Sequence, residues 1–353
     1  MRVSRRWFAL GLLASLAANC PAQDPAAMPE YKPLQQVSGV IRISGDYHQK
    51  AMLQAWEKEF QKVQPNITFQ NNLTSTIHGI PALVFDVADI GLLGREIAPL
   101  ENLSFRRMFK YDPLEITTAT GSYDTPYEAF ALGIFVNKQN PLSHLTFSQA
   151  ASIFGCGYGK NIRTWGQLGL TGAWANKPIH VLGYPSGNNI ATFFELKVFQ
   201  TPGGGGPTLP NGAHWNCDLK EYANTYDAND KPIVSSDAFM MKELGKDPYA
   251  IAYSGVAEQT SEVKSLALSE HDGGPYIPFS RATVADRTYP LTRSMYAYVN
   301  SGPGRPLKPQ IAEFLRFILS RQGQESVAQQ KIFLPLTSAA VVEQRKKLTA
   351  DAP

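Results

Sequence analysis

The stretch Ile179–Gln200, IHVLGYPSGNNIATFFELKVFQ, carries the residues best placed to do chemistry. Ser186, Gly187, Asn188 and Asn189 form a polar turn between an apolar run (Ile179, Val181, Leu182) and a segment whose Ile190, Phe193, Phe194 and Val198 recur at helical spacing. A strand, a tight loop and a helix leave backbone N–H groups unsatisfied at the helix start. Serine and asparagine side chains cap such groups, and an anion can sit on them. Gly187 lets the backbone approach a ligand closely. Ordinary helix capping uses the same residue types, so this turn alone does not separate a ligand loop from a capped helix.

Nucleophilic and metal chemistry fit less well. In Gly183-Tyr184-Pro185-Ser186-Gly187 the serine adjoins the glycine, whereas a nucleophile elbow needs one residue between them. His48, His78, His144, His180, His214 and His271 are scattered, with no HExxH and no pair at metal spacing. His78 lies near Thr76, and His180 just before the turn, so a Ser186–histidine contact stays open. No cofactor motif appears: Gly203 to Gly206 lacks the Lys-Ser/Thr of a phosphate loop and reads as a surface insertion.

The N-terminus reads as an export signal over residues 1–22. Arg2, Arg5 and Arg6 precede an apolar run from Trp7 to Ala18, and Ser4-Arg5-Arg6-Trp7-Phe8 resembles a twin-arginine signal. Ala17-Ala18-Asn19-Cys20 resembles a lipoprotein cleavage site, so a lipid on Cys20 is the expected route to a membrane, if any. No later run approaches the roughly 18 apolar residues of a membrane span. Without the signal, 30 basic and 30 acidic residues remain, a near-neutral chain with no electrostatic reason to bind nucleic acid. Cys156 and Cys217 then read as a disulfide pair of an exported protein, with two free thiols as the alternative.

The elements that must position the polar turn alternate between strand and helix, which predicts an α/β fold with a mostly parallel sheet. Residues 23–37 read as a disordered linker. Val40–Ile43 is a strand ending in Ser44-Gly45-Asp46-Tyr47, followed by a helix with Met52, Ala55, Trp56, Phe60 and Val63 on one face. Ile67–Phe69, Val87–Gly91, Leu114–Ala119, Ala129–Val136, Tyr249–Gly255, Val263–Leu268 and Met295–Val299 are further strands. Pro309 opens a helix that Gly323 ends, and Gln344-Arg345-Lys346-Lys347 reads as a solvated tail.

Taken in order, several of these segments resemble the phosphate-binding component of bacterial ABC importers, a type II periplasmic binding protein. They are the Trp56 helix, Ala88-Asp89-Ile90-Gly91, Asn140-Pro141-Leu142, Ile153-Phe154-Gly155, Trp165-Gly166-Gln167-Leu168-Gly169, Ser186-Gly187, Tyr289-Pro290-Leu291-Thr292-Arg293 and the stretch Glu313–Gln324. The resemblance implies an extracytoplasmic solute-binding protein, not an enzyme, with two lobes joined by two crossover segments. Lobe 1 would be 38–125 plus 290–353 and lobe 2 would be 126–289. A small anion such as phosphate would sit between them, passed on to an ABC permease. In that family the ligand is held by backbone N–H groups, hydroxyls, one arginine and one carboxylate that accepts the ligand's proton.

Mapped onto this chain, the resemblance points to Asp46, Tyr47, Thr76, Arg95, Ser186, Gly187 and Asn188 as ligand-binding residues. Several positions depart from the family. Asp46-Tyr47 stands where a small hydroxyl residue is usual, and Gly94 where Asp or Ser is usual. The expected arginine is Leu182, or Tyr184 with a one-residue gap, so Arg95 or Arg293 would have to supply the cation. An oxyanion, another small ligand matched by Tyr47, Tyr184 and Asn188, and a degenerate cleft kept for contacts all remain open.

Overall fold

The computed structural model describes residues 28–125, 129–157, 161–199, 214–226 and 232–348. The export signal, Cys20 and the Gly203–Gly206 insertion lie outside these residues. Two five-stranded mixed sheets organise the chain. In the first, Asn66–Leu73, Ser38–Gly45 and Ile90–Leu93 run parallel, and Ser294–Val299 lies antiparallel between Ile90–Leu93 and Leu114–Thr120. The second repeats the plan: Lys220–Glu221, His180–Gly183 and Ala250–Ser254 are parallel, and Gly133–Asn137 returns antiparallel beside Val263–Ser265. In the first sheet Ser294–Val299 joins strands from residues 38–120, so the chain leaves this sheet and returns to it. Two mixed sheets flanked by helices make a two-lobed α/β arrangement, as the resemblance implied.

Helices bury one face against these sheets, as their periodicity requires. Helix Lys50–Gln61 buries Met52, Leu53, Trp56 and Phe60, and the Trp56 Nε1–H donates to Gly323 O at 2.8 Å. Gly323 does not end a helix: it is the third residue of helix Arg321–Gln330, whose N-cap is Ser320. A Cβ there would fall 2.3 Å from Phe317 O, so the glycine serves close packing between consecutive helices. Two other local expectations shift. The strand expected over Val87–Gly91 forms three residues later, at Ile90–Leu93, because Asp89 is drawn into an ion-pair cluster. Val263–Leu268 splits into Val263–Ser265 and Ala267–Ser269, which pair in different sheets.

The chain's ends are better anchored than expected. Residues 28–37 are not a disordered linker: Met28, Tyr31 and Val37 are buried in the first core. The Tyr31 hydroxyl donates to the buried Glu313 at 2.8 Å, and the Val37 and Tyr31 amides donate to Gln64 and Gln322. Nor is Gln344–Lys347 a solvated tail. It closes helix Ser338–Lys347, where Gln344 accepts from Thr117 N and Lys347 and Arg345 donate to Glu115 O and Leu319 O.

Asp89 links the first strand to the C-terminal helices. Its carboxylate takes the Arg42 backbone and guanidinium N–H groups at 3.0 to 3.1 Å and Lys308 Nζ at 2.7 Å. Burial pushes this carboxyl up, but the Arg42 and Lys308 bonds outweigh it and hold it at about 2. Its folded value lies below the ordinary 3.8, so the clamp stabilises fully above pH 4 and fades as pH falls towards 2. Asp89→Asn is expected to cost about 1–2 kcal/mol at pH 7, roughly half of that at pH 3 and little below pH 2, in urea unfolding.

No disulfide joins Cys156 to Cys217, which corrects that expectation. Cys156 pairs in register with His214 in a two-stranded ribbon, and its Sγ accepts from the Arg163 guanidinium at 2.8 Å. The ribbon carries the chain on through buried Asn216, tied to Phe154 O and Ile153 O, before Cys217 is reached.

Candidate functional site

The carboxyl ends of parallel strands face the gap between the lobes, the usual ligand position in open α/β sheets. Strand Ser38–Gly45 ends there at Gly45, whose φ is +137° and whose Cβ, if present, would lie 2.0 Å from Leu92 O. Only glycine lets the chain pass that carbonyl, which then accepts from Asp46 N at 2.9 Å. The next residues wind into the short helix Tyr47–Gln49, and a second such turn starts at Thr76. From the other lobe, strand His180–Gly183 leads through the Ser186 turn to Asn188, the cap of helix Asn189–Phe194.

These junctions enclose a hollow of about 260 Å³. Asp46, Tyr47 and Thr76 line it from the first lobe, Asn188 and Asp237 from the second, and Arg293 lies at the crossing. Asp46 and Arg293 are 2% and 5% exposed, so both charges are nearly dehydrated and sense one another through space. Asp46 Oδ1 accepts from the His48 backbone N–H at 3.2 Å and contacts the His48 ring at 2.8 Å. Burial raises the Asp46 carboxyl, but His48 and the Arg293 charge outweigh it, and the group ionises below the ordinary carboxylate range. Arg293 Nε and Nη2 donate to Gly94 O at 3.1 and 2.6 Å, and its guanidinium lies 5.3 Å from the centre of the Phe193 ring. Burial pulls it down to about 10, against the pull of Asp46 and Glu96, so it stays protonated at neutral pH.

Gly94 is the informative departure. A Cβ at that position would lie 2.4 Å from Asp46 Oδ2 and 3.6 Å from Arg293 Nη2. The carboxylate of Asp46 therefore fills the space a side chain at 94 would take. An acid thus stands in the space a side chain at 94 would fill, and an arginine lies beside it.

Of the residues the sequence singled out, Asp46, Tyr47, Thr76 and Asn188 come together. Tyr47 remains 54% exposed, at the rim, with its ring 3.9 Å from that of His48. Asn188 spends its Oδ1 on the Ile190 N–H at 2.8 Å, the capping role, which leaves its amide for the hollow. Four others do not line the hollow. Arg95 is buried in a two-pronged ion pair with Glu101, at 2.8 and 2.9 Å, in the first turn of helix Pro99–Phe109. Ser186 and Gly187 lie exposed on the outer side of their turn, where Gly187 adopts φ +86°. Tyr184 is wholly buried and donates its hydroxyl to Asp237 rather than to the hollow.

Sequence reading missed His48, Ser236 and Asp237. Ser235-Ser236-Asp237 opens helix Ser236–Lys246 with a serine cap, the same loop-to-helix signature as the other walls. That signal was legible, but nothing local distinguishes it from the chain's other caps.

Among the described residues no hydrogen bond joins a histidine to Ser186. His180 Nδ1 is 2.6 Å from Asp247, His78 contacts Thr74, and His48 belongs to Asp46. Ser186→Ala is accordingly expected to change ligand affinity by no more than about twofold in calorimetric titration, since an exposed turn hydroxyl away from the ligand contributes little.

A family model described as a PBP superfamily domain matches residues 31–322. The chain is 29% identical to the phosphate-binding protein PstS of Pseudomonas aeruginosa over 355 residues, covering 99% of each. It is 23% identical to the protein SphX of Synechococcus elongatus, across 87% of this chain and 82% of that one. Among solved structures, an ABC-type phosphate transport receptor from Vibrio cholerae aligns with a TM-score of 0.52 at 18% identity, covering 83% of this chain and 99% of the other. PstS from Borrelia burgdorferi aligns with a TM-score of 0.53 at 16% identity, covering 84% and 99%. The two structures speak to fold alone, and the family model, which spans most of the chain, speaks to descent: this chain belongs to the PBP superfamily.

Proposed function

We propose that this protein is an extracytoplasmic solute-binding protein for phosphate, acting without catalysis and delivering its ligand to an ABC importer. The observation that carries this reading is that the buried charges of Asp46 and Arg293 line one hollow and sense one another through space, with Asp46 Oδ2 standing where a side chain at 94 would be. Arginine supplies a buried cation for the anion. An ionised carboxylate offers only acceptors, so it favours an oxyanion that still bears a proton and leaves a fully deprotonated one facing a repelling oxygen. The names and full-length alignment of the Pseudomonas and Synechococcus relatives support the same ligand class and an exported location.

Lobe 1 (38–125 plus 290–353) and lobe 2 (126–289) would close by a hinge over the ligand. Lys197 Nζ of the second lobe already lies 2.6 Å from Glu96 of the first, beside the crossing strands. Ligand stabilises the native state by mass action, by about 2.7 kcal/mol at a hundred times Kd. Phosphate at millimolar concentration is expected to raise the melting temperature by several degrees, and sulfate is not. Absence of a shift with phosphate, or an equal shift with sulfate, would overturn the proposal.

A further inference from the structure

The hollow holds a second carboxyl group, for which the pairing of Asp46 with Arg293 gives no role. Asp237 is the second residue of helix Ser236–Lys246, and an acid in the first turn suits the helix dipole. Dipole chemistry needs no burial, yet Asp237 is only 8% exposed and lines the same hollow as Asp46 and Arg293. Its Oδ1 accepts from the hydroxyl of Tyr184, which also lies 3.1 Å from Ser254 Oγ. The second lobe thus holds one oxygen from behind and leaves Oδ2 for whatever fills the hollow.

Charge then limits what can fill it. The groups facing Asp237 are Tyr184 and Ser254 from two adjacent strand ends, Glu258 from the segment after strand Ala250–Ser254, and Asp46, His48 and Arg293 across the hollow. Arg293 is the one permanent cation among the described lining residues. A phosphate dianion set between two ionised carboxylates would face one arginine with an excess of negative charge in a poorly hydrated space. One added proton removes both a charge and a repulsive oxygen–oxygen contact.

Resting on the phosphate reading above, we propose that Asp237 is a second specificity-determining acid, so that phosphate binds with one more proton than monohydrogen phosphate brings. In the closed cleft one phosphate hydroxyl donates to Asp46, and a second proton is shared between phosphate and Asp237 Oδ2. At pH 8 the free partners are monohydrogen phosphate and an ionised Asp237, so the complex takes that proton from solvent. Burial, reinforced by Glu258 and opposed by the Tyr184 bond, already raises Asp237 to about 6, close to where a shared proton is needed.

The test is titration calorimetry of the mature chain with inorganic phosphate at pH 8, in two buffers of different ionisation heat. About one proton taken up per phosphate is expected, with affinity rising up to tenfold per unit of pH lowered above neutrality. Asp237→Asn should still bind phosphate, with uptake near zero and a flat pH profile. His48→Gln should retain the uptake. No uptake by the unaltered protein, equal uptake by Asp237→Asn, or uptake lost in His48→Gln would each overturn the inference while phosphate binding stood. Absence of binding heat at any pH would remove the phosphate reading and this inference together. Should Asp237→Asn fail to fold, the proton count of the unaltered protein decides the matter.

Discussion

Moving the carboxylate from one loop to the other, by Asp46→Ser together with Gly94→Asp, is expected to restore most of the phosphate affinity that either change alone destroys. The expectation follows from space. The ideal Cβ at 94 falls 2.4 Å from Asp46 Oδ2, so the cleft has room for one of these side chains, not both. Gly94→Asp alone overlaps the Asp46 carboxylate and sets two like charges together beside Arg293. Asp46→Ser alone leaves Arg293 buried without its counter-charge and the ligand without a proton acceptor. Losing a counter-charge from this buried cluster is expected to lower affinity at least tenfold for either single change, which is about 1.4 kcal/mol. In the double variant the carboxylate introduced at position 94 has room, and Arg293 regains its partner. Titration calorimetry of the four proteins should place the double variant within about tenfold of the original, given that one exchanged contact is worth roughly 1.4 kcal/mol. A double variant no better than the weaker single one would show that Asp46 does not occupy the acid's place.

The second large effect belongs to Arg293, where ligand binding and folding are coupled through one side chain. Arg293→Met removes two N–H donors from Gly94 O, the stacking on Phe193 and the charge that faces Asp46. Gly94 O is then left without its two donors in a buried place, a loss of about 1–3 kcal/mol of stability. Arg293→Lys keeps the charge and loses the planar fork that reaches Gly94 O with two N–H groups, so it should fall between the two. Phosphate affinity should drop in the same order. In urea unfolding, Arg293→Met combined with Asp46→Asn should be less destabilised than the sum of the single changes by more than about 1 kcal/mol. Additive losses would mean that the two groups do not sense one another.

Much of the scaffold was legible because its cues are local. Strand Ser38–Gly45, helix Lys50–Gln61 and strand His180–Gly183 followed from alternation and helical spacing over fewer than a dozen residues. Asn188 stood out as a helix cap in the chain itself, whereas Asp46, Tyr47 and Thr76 were singled out only through the family resemblance, and all four line the hollow. The errors share one cause. Arg95 looked free to turn to a ligand until Glu101, six residues on, was seen to hold it. Residues 28–37 looked too polar to fold, yet Tyr31 reaches the buried Glu313, 282 positions away. Cys156 and Cys217 looked like a pair by count, but the ribbon joining Cys156 to His214 sets a different neighbour.

Amino-acid order alone determined the alternation of strands and helices, the near-neutral charge of residues 23–353 and the junctions from which a ligand site would be built. Those features depend on backbone sterics and on the burial of one face of each element, interactions that act over a few residues. Which junctions meet, and which charges they bring, was decided only when distant segments entered common sheets. Inserting Ser294–Val299 between Ile90–Leu93 and Leu114–Thr120 carries Arg293 to Gly94 and Asp46. Pairing Ala250–Ser254 with His180–Gly183 brings Ser254 to Tyr184, which holds Asp237 at the hollow. Burial then makes these pairings matter, since a charge removed from water must find its partner through space, at whatever separation along the chain.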